Sequence, residues 1–315
     1  MSTRSVEAIR DVSRRIEGSR EVLREYWFEY LLFVPTLLFL LALVWLPFLH
    51  GVWMSLHDWP MFGDPRWVGL GNYEYLFQWD AFYTSIRATL IFLLQTVVQL
   101  GIALGAALAL KHISRLKNVI NAVFLIPYTM PPIVTGTIWF YLLHPQFGPF
   151  MDYLINWGIL DGPVYWRSMG DAGLTVITMI GAWTFWPFMF LVILASLENI
   201  PNEHYETAKV YGASRIQRFF RITLPQLKSA ILVAISIRIV WNLVKVSQPL
   251  QMTNGGPGYE TSVLAILLYR FTKEQRELGL AFSIGIILFL ITLACTIMFI
   301  REFERSAGDS GGEAS

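Results

Sequence analysis

Features typical of enzymes and of disulfide-bonded or metal-binding proteins are missing from this sequence of 315 residues. Its one cysteine, Cys295, excludes an internal disulfide framework, and its five histidines are scattered without metal-ligand spacing. No Ser/His/Asp, Cys/His or paired-carboxylate arrangement indicates catalysis. No G-x4-G-K-[ST] segment is present, so the chain lacks a loop that cradles nucleotide phosphates. We therefore expect no catalytic site, no metal site and no cofactor in this chain.

Charged residues make up only 15% of the chain, while 55% of its residues are hydrophobic. The hydrophobic residues form six runs of at least about 20 residues, enough to cross a hydrocarbon core of about 30 Å. The predicted spans are 30–56, 84–110, 119–143, 173–197, 229–250 and 279–300. Pro127, Pro131 and Pro132 predict a bend in the third span. The pattern predicts an all-α membrane protein with six transmembrane helices.

Acidic residues are absent from all six predicted spans. A proton-coupled carrier usually needs a carboxylate inside the membrane, so this class of transporter lacks its usual relay. An ion-coupled secondary carrier is therefore a less favoured alternative. A membrane-embedded enzyme is disfavoured as well, because the reactive groups it would need are not found.

Lys and Arg are unevenly placed along the chain, and their distribution predicts its orientation. Of the 24 basic residues, sixteen fall in segments on one side of the predicted spans and five on the other. Because cytoplasmic loops carry the excess, we expect a multi-pass cell-membrane protein with both termini in the cytoplasm. The charged tail 1–29 fits an interfacial amphipathic helix or a solvated tail. Residues 30–300 form the predicted transmembrane domain, and 301–315 a disordered cytoplasmic tail.

A charged segment at 198–228, between the fourth and fifth spans, carries the signals of two short helices that meet at a bend. Pro201 suits a first helical turn, and Gly212 suits the left-handed position after a helix end. Ser214 is a suitable cap for a second helix, which Pro225 is expected to end. The basic residues of this segment favour its cytoplasmic side.

This segment resembles the EAA loop of ABC importer permeases, in which the pattern EAA-x3-G-x9-I-x-LP forms a helix that docks on the ATPase subunit. The matching positions, to which the resemblance assigns ATPase coupling, are Glu206, Thr207, Ala208, Gly212, Ile222, Leu224 and Pro225. Thr207 replaces the middle alanine, and Tyr211 stands where many relatives carry Asp. These departures leave the partner contacts of the loop open. An ordinary basic loop between spans is the competing interpretation.

Two further stretches carry the same resemblance, in the same order along the chain. Trp67–Phe77 resembles the VGLxNYxxLF segment of carbohydrate-uptake permeases. Thr253–Gly258 matches the TNGGP segment of the first, maltose-transporter-type permease subunit and predicts a tight external turn. The turn residues are Asn254, Gly255, Gly256 and Pro257. Residues 262–276 are then expected to form a short surface helix before the last span.

The resemblance covers roughly residues 30–300 and implies the permease subunit of an ATP-driven ABC sugar importer. The implied fold is a type I importer permease core, with the coupling helix between spans four and five. The implied partners are a second permease in a heterodimer, two ATPase subunits that bind ATP and Mg²⁺, an external solute-binding protein, membrane lipid and the sugar. Nothing in the sequence indicates a nucleic-acid partner.

Polar and aromatic residues within the spans are candidates for the substrate pathway. They are Trp183, Trp186, Arg238, Asn242, Lys245 and Gln248. Arg238, Asn242 and Lys245 follow at i, i+4 and i+7, so we predict that they share a helical face that meets protein or water. Structural pairing of the cations and packing by the tryptophans are the competing interpretations. The cations also leave open an anionic substrate, such as a sugar phosphate or glycerol phosphate.

Overall fold

A computed structural model describes residues 25–111, 113 and 115–312. The predicted N-terminal tail, 1–29, lies almost wholly outside the described residues. The chain divides into two compact units, residues 1–54 and 55–315.

The described part of the first unit is helical. Helix α1 (Trp27–Leu40) is followed by a π turn (Leu41–Trp45) and by α2 (Leu46–Ser55). Together they form one apolar helix that is long enough to cross a membrane. Pro35 lies inside α1 without ending it, as membrane helices allow.

The second unit is mainly helical, and its two short strands, β1 (His57–Asp58) and β2 (Arg66–Trp67), pair antiparallel. Its α-helices are α3 (Gly71–Gln78), α4 (Asp80–Leu93), α5 (Gln95–Lys111), α6 (Lys117–Thr129), α7 (Pro132–Leu142), α8 (Pro149–Asn156), α9 (Gly170–Glu198), α10 (Asn202–Val210), α11 (Arg215–Arg218), α12 (Leu224–Leu243), α13 (Ser247–Thr253), α14 (Leu264–Arg270) and α15 (Leu278–Gly312). A 3-10 turn covers Trp166–Ser168, and π turns cover Phe219–Thr223 and Phe271–Gln275.

Five helices in the described part of the chain are long and apolar enough to cross a membrane. They are Trp27–Ser55, Asp80–Lys111, Gly170–Glu198, Arg215–Leu243 and Leu278–Arg305. Helices α6 and α7 would together make a sixth, but they meet at 90°, so the predicted third span is a broken pair. Met130 and Pro131 have extended backbone there, with ψ of 137° and 133°. Each precedes a proline, which disfavours the helical conformation in the residue before it.

The fifth predicted span, 229–250, begins and ends earlier than expected, because its helix runs from Arg215 to Leu243. The prediction that Pro225 ends a helix is wrong. Pro225 lies in the first turn of α12, after the π turn, where its missing N–H is tolerated. The helix stops before Val244, and α13 starts at Ser247. Lys245 therefore does not share a helix with Arg238.

The sequence predicts a surface helix at 262–276, and the prediction that this helix is exposed is wrong. Residues 264–267 of α14 are at most 4% exposed and belong to the main hydrophobic core. The Leu264 N–H also donates to Thr89 Oγ1 at 2.9 Å, which ties the start of α14 to α4. The run LAILL has no polar face, so burial stabilises it more than a surface position would.

The C-terminal helix is longer than the predicted span. Helix α15 continues to Gly312, whereas a disordered tail was predicted from residue 301. Ion pairs accompany the extension: Glu302 lies 4.0 Å from Lys228 of α12 and 3.9 Å from Arg305. A charge pair at i, i+3 favours a helical continuation by a few tenths of a kcal/mol.

Helix α9 is the central element of the second unit, because it takes part in both of its hydrophobic clusters. One cluster joins the first half of α9 to α4, α14 and α15. The other joins its second half to α5, α6 and the start of α12. Ile200, just after α9, and Leu227, in the first turn of α12, flank the segment between these helices and are buried in this second cluster. The segment is thus anchored at both ends.

The stretch Trp67–Phe77 folds as a turn followed by α3. Gly69 has a φ of +56°, a conformation that glycine adopts without strain. Buried Asn72 donates to the carbonyls of Ser55 and His57 at 2.9 and 2.8 Å. The asparagine of this motif therefore closes the loop between β1 and α3.

Candidate functional site

The connector, defined here as residues 199–223, has the first short helix and the bend that the sequence predicts, whereas its second helix, α11, continues through the π turn into α12. Gly212 has a φ of +76°, which confirms the left-handed position after α10. Ser214 Oγ accepts from the Gln217 N–H at 3.2 Å, and Gln217 Oε1 accepts from the Ser214 N–H at 2.8 Å. This capping box confirms Ser214 as the helix cap.

One face of the connector carries exposed apolar side chains among charged ones. Val210 and Tyr211 are each 86% exposed, and Ile216 is 71% exposed. Glu206 and Thr207 also point outward, whereas Ala208 is half-buried. Exposed apolar groups clustered among charges are characteristic of an interaction surface.

The opposite face of α10 is tied to the helix bundle through Tyr205. Its hydroxyl is hydrogen-bonded to Thr223 Oγ1 at 3.0 Å, and Lys111 Nζ lies 3.9 Å from its ring centroid. Lys117, at the start of α6, forms an ion pair with Glu198, the last residue of α9 before the connector. Sequence reasoning missed the contacts of Tyr205, because Lys111 and Thr223 are distant in the chain.

The last three motif residues lie where the connector joins α12. Ile222 packs partly buried against the second hydrophobic cluster. Leu224 is half-buried, and Pro225 is exposed. These positions therefore shape the junction, while the exposed face lies on α10 and α11.

Arg238 is at the centre of a polar cluster buried among membrane helices. The cluster consists of Gln95, Thr96, Gln99, Arg238 and Asn242, none of which is more than 4% exposed. Arg238 Nε donates to Gln99 Oε1 at 3.0 Å, and an Arg238 terminal nitrogen donates to Asn242 Oδ1 at 2.7 Å. Asn242 Nδ2 donates to Thr96 Oγ1 at 2.9 Å. The guanidinium thus bonds to its own helix and to α5.

The cluster extends to α9 through a close approach of two helices. Gln99 Nε2 donates to the Gly181 carbonyl at 3.2 Å and to Gln95 Oε1 at 3.3 Å. A Cβ at Gly181 would meet the terminal amide of Gln95, so a larger residue there would displace that amide. Sequence reasoning missed Gln95 and Gln99, although two amides at i, i+4 in an apolar run were a visible signal.

The remaining pathway candidates lie on different elements. Lys245, between α12 and α13, has its Nζ 4.0 Å from the Phe185 ring centroid. Gln248, on α13, is buried and donates to Thr184 Oγ1 at 3.3 Å. Its Oε1 has no hydrogen-bond partner among the described residues. Lys245 and Arg238 therefore both contact the Phe185 ring, because the guanidinium carbon of Arg238 lies 4.8 Å from its centroid.

The two candidate tryptophans differ in burial. Trp186 is 7% exposed and contacts Phe124 and Phe190, so within this chain it packs in the core. Trp183 is half-buried and lies 5.3 Å from the ring of Trp139 on α7. Of the pair, Trp183 is the more accessible.

The TNGGP stretch forms the predicted tight turn. Asn254 and Gly255 have φ of 53° and 77°, both in the left-handed region. Thr261 Oγ1 donates to the Gly256 carbonyl at 2.8 Å and holds the turn closed. The sequence TNGGP therefore encodes this geometry locally.

Comparison with known proteins gives relatives over nearly the whole chain. The trehalose/maltose transport system permease protein MalF of Thermococcus litoralis is 32% identical over 281 residues, which is 88% of this chain and 94% of the relative. The probable ABC transporter permease protein YurN of Bacillus subtilis is 29% identical over 281 residues, covering 87% and 95%. The sn-glycerol-3-phosphate transport system permease protein UgpA of Escherichia coli O157:H7 is 27% identical over 297 residues, covering 92% and 98%.

The fold has a counterpart among solved structures. A chain of the bacterial alginate ABC transporter, in complex with an alginate pentasaccharide-bound periplasmic protein, superposes with a TM-score of 0.76. It is 22% identical, with 89% of this chain and 94% of that chain covered. The model of the family described as "binding-protein-dependent transport system inner membrane component" matches residues 101–305. The chain therefore belongs to this family, the membrane-spanning, non-catalytic permease components of ABC transporters.

Proposed function

We propose that the chain forms half of the translocation pathway of an ATP-driven sugar importer and couples it to a separate ATPase. The observation that carries the sugar assignment is the 32% identity, over 88% of this chain, with a trehalose/maltose permease. A permease of this family works with a solute-binding protein in a transporter complex. We infer that the complex also contains a second, different permease and two ATPase subunits.

The coupling role is assigned to the connector. Its exposed face offers Val210, Tyr211 and Ile216 for an apolar groove on the ATPase, and Glu206 for a basic side chain. Burial of such an apolar patch contributes about 25 cal/mol per Å². The EAA pattern and this exposure together support the connector as the docking element.

Movement of the connector reaches the membrane helices by two routes. The backbone passes from α9 to α10 through three residues, 199–201, and from α11 through the π turn into α12 without a break. Side chains add a second route, because Tyr205 contacts both Thr223 and Lys111 of α5. In this mechanism, closure of the ATPase dimer on ATP draws the connectors together and tilts α9 and α12, which switches access to the central site.

We place the substrate route near the break between α12 and α13. Lys245 and Trp241 line a recess there, together with Val244, Val246 and Ser247. Trp241 is 41% exposed and offers a face on which a sugar ring can stack. Asn242 and Gln248, which are buried polar groups on α12 and α13, and the half-buried Trp183 are further candidates for this route.

Arg238 itself does not favour an anionic substrate over a neutral sugar. Its guanidinium is buried and already donates to Gln99 and Asn242. An anionic ligand would have to displace these bonds and to enter a site with no exposed arginine surface. A sugar phosphate or glycerol phosphate therefore gains little from Arg238.

The orientation follows the charge distribution. We place both termini and the connector in the cytoplasm and the turn Asn254–Pro257 outside, where it can meet the binding protein. The permease domain then comprises residues 30–300, flanked by the cytoplasmic segments 1–29 and 301–315.

The experiment is uptake by cells that contain the complete transport system, with and without this chain. Radiolabelled trehalose and maltose serve as neutral probes, and glycerol 3-phosphate as the anionic probe. We expect uptake of a neutral probe that requires both this chain and the ATPase. Uptake of glycerol 3-phosphate alone would overturn the sugar assignment, and uptake without any ATPase would overturn the coupling assignment.

A further inference from the structure

A groove of about 660 Å³ runs along the outside of the second unit between α12 and α15. Its walls are mostly apolar, with Leu232 on one side and Ala294, Ile297 and Met298 on the other; Arg301, Glu302 and Arg305 line one end. The α15 residues recur at intervals of three and four, so they form one stripe on one helical face. The stripe changes along its length from apolar to cationic.

The cationic end of this groove has an excess of positive charge. Arg301 and Arg305 are exposed, and Arg305 remains 79% exposed although it lies 3.9 Å from Glu302. Lys228 of α12 approaches the same carboxylate at 4.0 Å. Lys228, Arg301 and Arg305 stand against two carboxylates here, Glu302 and Glu304, so the described side chains at this end leave one positive charge in excess for a further anion.

The groove lining changes from apolar to charged residues at the depth where a bilayer would end. Leu278–Arg305 qualifies as a membrane-spanning helix, and Arg301 follows directly after its apolar run. From Ala294 to Arg305 the stripe extends about 16 Å at about 1.5 Å per residue. This length covers part of one leaflet and ends at headgroup depth.

We propose that this basic groove binds one anionic phospholipid, with an acyl chain along Leu232 and Ile297 and the phosphate at Arg301 and Arg305. Basic pockets between helices at the cytoplasmic surface select anionic headgroups. An apolar helix of another subunit would fill the walls but would leave the cations without an anion. The inference adds to the proposed function and does not depend on which solute is transported.

The test measures lipid retention by the purified full complex, and not transport, so a failed sugar assignment leaves it interpretable. The complex is equilibrated in mixed phosphatidylcholine and phosphatidylglycerol, washed in detergent and examined by native mass spectrometry. The double variant Arg301→Gln/Arg305→Gln removes the charges. Arg115→Gln is the matched control, because Arg115 is an exposed cation that does not line the groove.

We expect wild type and Arg115→Gln to retain phosphatidylglycerol in preference to phosphatidylcholine. The double variant should lose this retention by about tenfold or more, since each basic residue near the surface contributes attraction. Ala294→Trp, which fills the groove without altering charge, should reduce retention of both lipids. The proposal is overturned if the double variant retains phosphatidylglycerol as wild type does. It is also overturned if wild type holds both lipids equally, or if a cross-link shows a subunit helix in the groove.

Discussion

At the residue scale, Arg238 shows how a charge is kept inside a membrane protein without an acidic partner. Within the described chain it forms no ion pair with a carboxylate, and its donors go to the oxygens of Gln99 and Asn242. Faces of Phe185 and Trp241 lie 4.8 and 5.8 Å from the guanidinium carbon. Amide dipoles and aromatic rings thus replace a counter-ion, and they join α12 to α5.

Replacement of Asn242 by Leu should test this arrangement, because it leaves Arg238 with one side-chain acceptor fewer. A hydrogen bond to a charged group contributes about 1.5–3 kcal/mol, so we expect a loss of stability of that size. The measurement is thermal unfolding of the detergent-solubilised complex. Ser236→Ala is the control, since its hydroxyl donates to Leu232 within the same helix. Equal melting of the two variants would contradict the structural role of Asn242.

Tyr205 offers a second residue-scale test, because its ring and its hydroxyl have different partners. Tyr205→Phe removes the bond to Thr223 and keeps the ring over Lys111, whereas Tyr205→Leu removes both contacts. We expect the Phe variant to lose about 1 kcal/mol of attachment and part of its coupling, and the Leu variant to lose more. The measurement is solute moved per ATP hydrolysed by the reconstituted complex. An unchanged ratio in the Leu variant would show that Tyr205 transmits no movement.

At the scale of elements, the sequence predicts what is set by local backbone chemistry. The bend at Gly212, the cap at Ser214 and the turn at Asn254 all follow from residues within a few positions of one another. The sequence did not predict helix ends near prolines as well. A π turn lets the helix that begins at Arg215 continue past Pro225, where the sequence predicts its end.

Contacts between distant segments could not be predicted from the sequence. Gln99 and Arg238 are 139 positions apart, and Leu264 bonds to a side chain 175 positions away. The burial of α14 and the two faces of α10 depend on such contacts. Sequence patterns identify the candidate residues, but tertiary packing decides which of them face each other.

Gly212 provides a matched test of the connector as an element. A Cβ at this position meets no atom of this chain within 4 Å, so a substitution causes no clash inside the chain and acts there through the backbone. Valine in the left-handed region costs about 1–2 kcal/mol, whereas Asn visits that region readily. We expect Gly212→Val to shift the helix angle, lower uptake about 5–30-fold and leave ATP hydrolysis uncoupled.

The control for this substitution is Gly212→Asn, which adds a side chain but permits the same backbone. It should retain most of the uptake of wild type. Equal loss in both variants would place the effect in the exposed surface and not in the bend. Normal uptake by Gly212→Val would show that the bend at Gly212 is not needed for transport.

At the scale of the whole molecule, the chain belongs to the non-catalytic permease components of ABC transporters, and we propose that a separate ATPase supplies its energy. The apolar helices provide the membrane-spanning framework, α9 links the two hydrophobic clusters, and the connector presents an exposed face at one end. We therefore expect the purified chain alone to move no solute in vesicles, with or without ATP. Solute movement by the isolated chain, measured as tracer uptake into proteoliposomes, would favour a carrier driven by another gradient.

The most direct measurement of the central claim is the accessibility of the connector to a membrane-impermeant maleimide. A single cysteine at Tyr211 is introduced by Tyr211→Cys in a Cys295→Ser background, so that the native thiol does not react. The account predicts labelling in inside-out vesicles, none in right-side-out vesicles, and protection when the ATPase subunits are bound. Labelling from the outside, or labelling that the ATPase does not reduce, would contradict it.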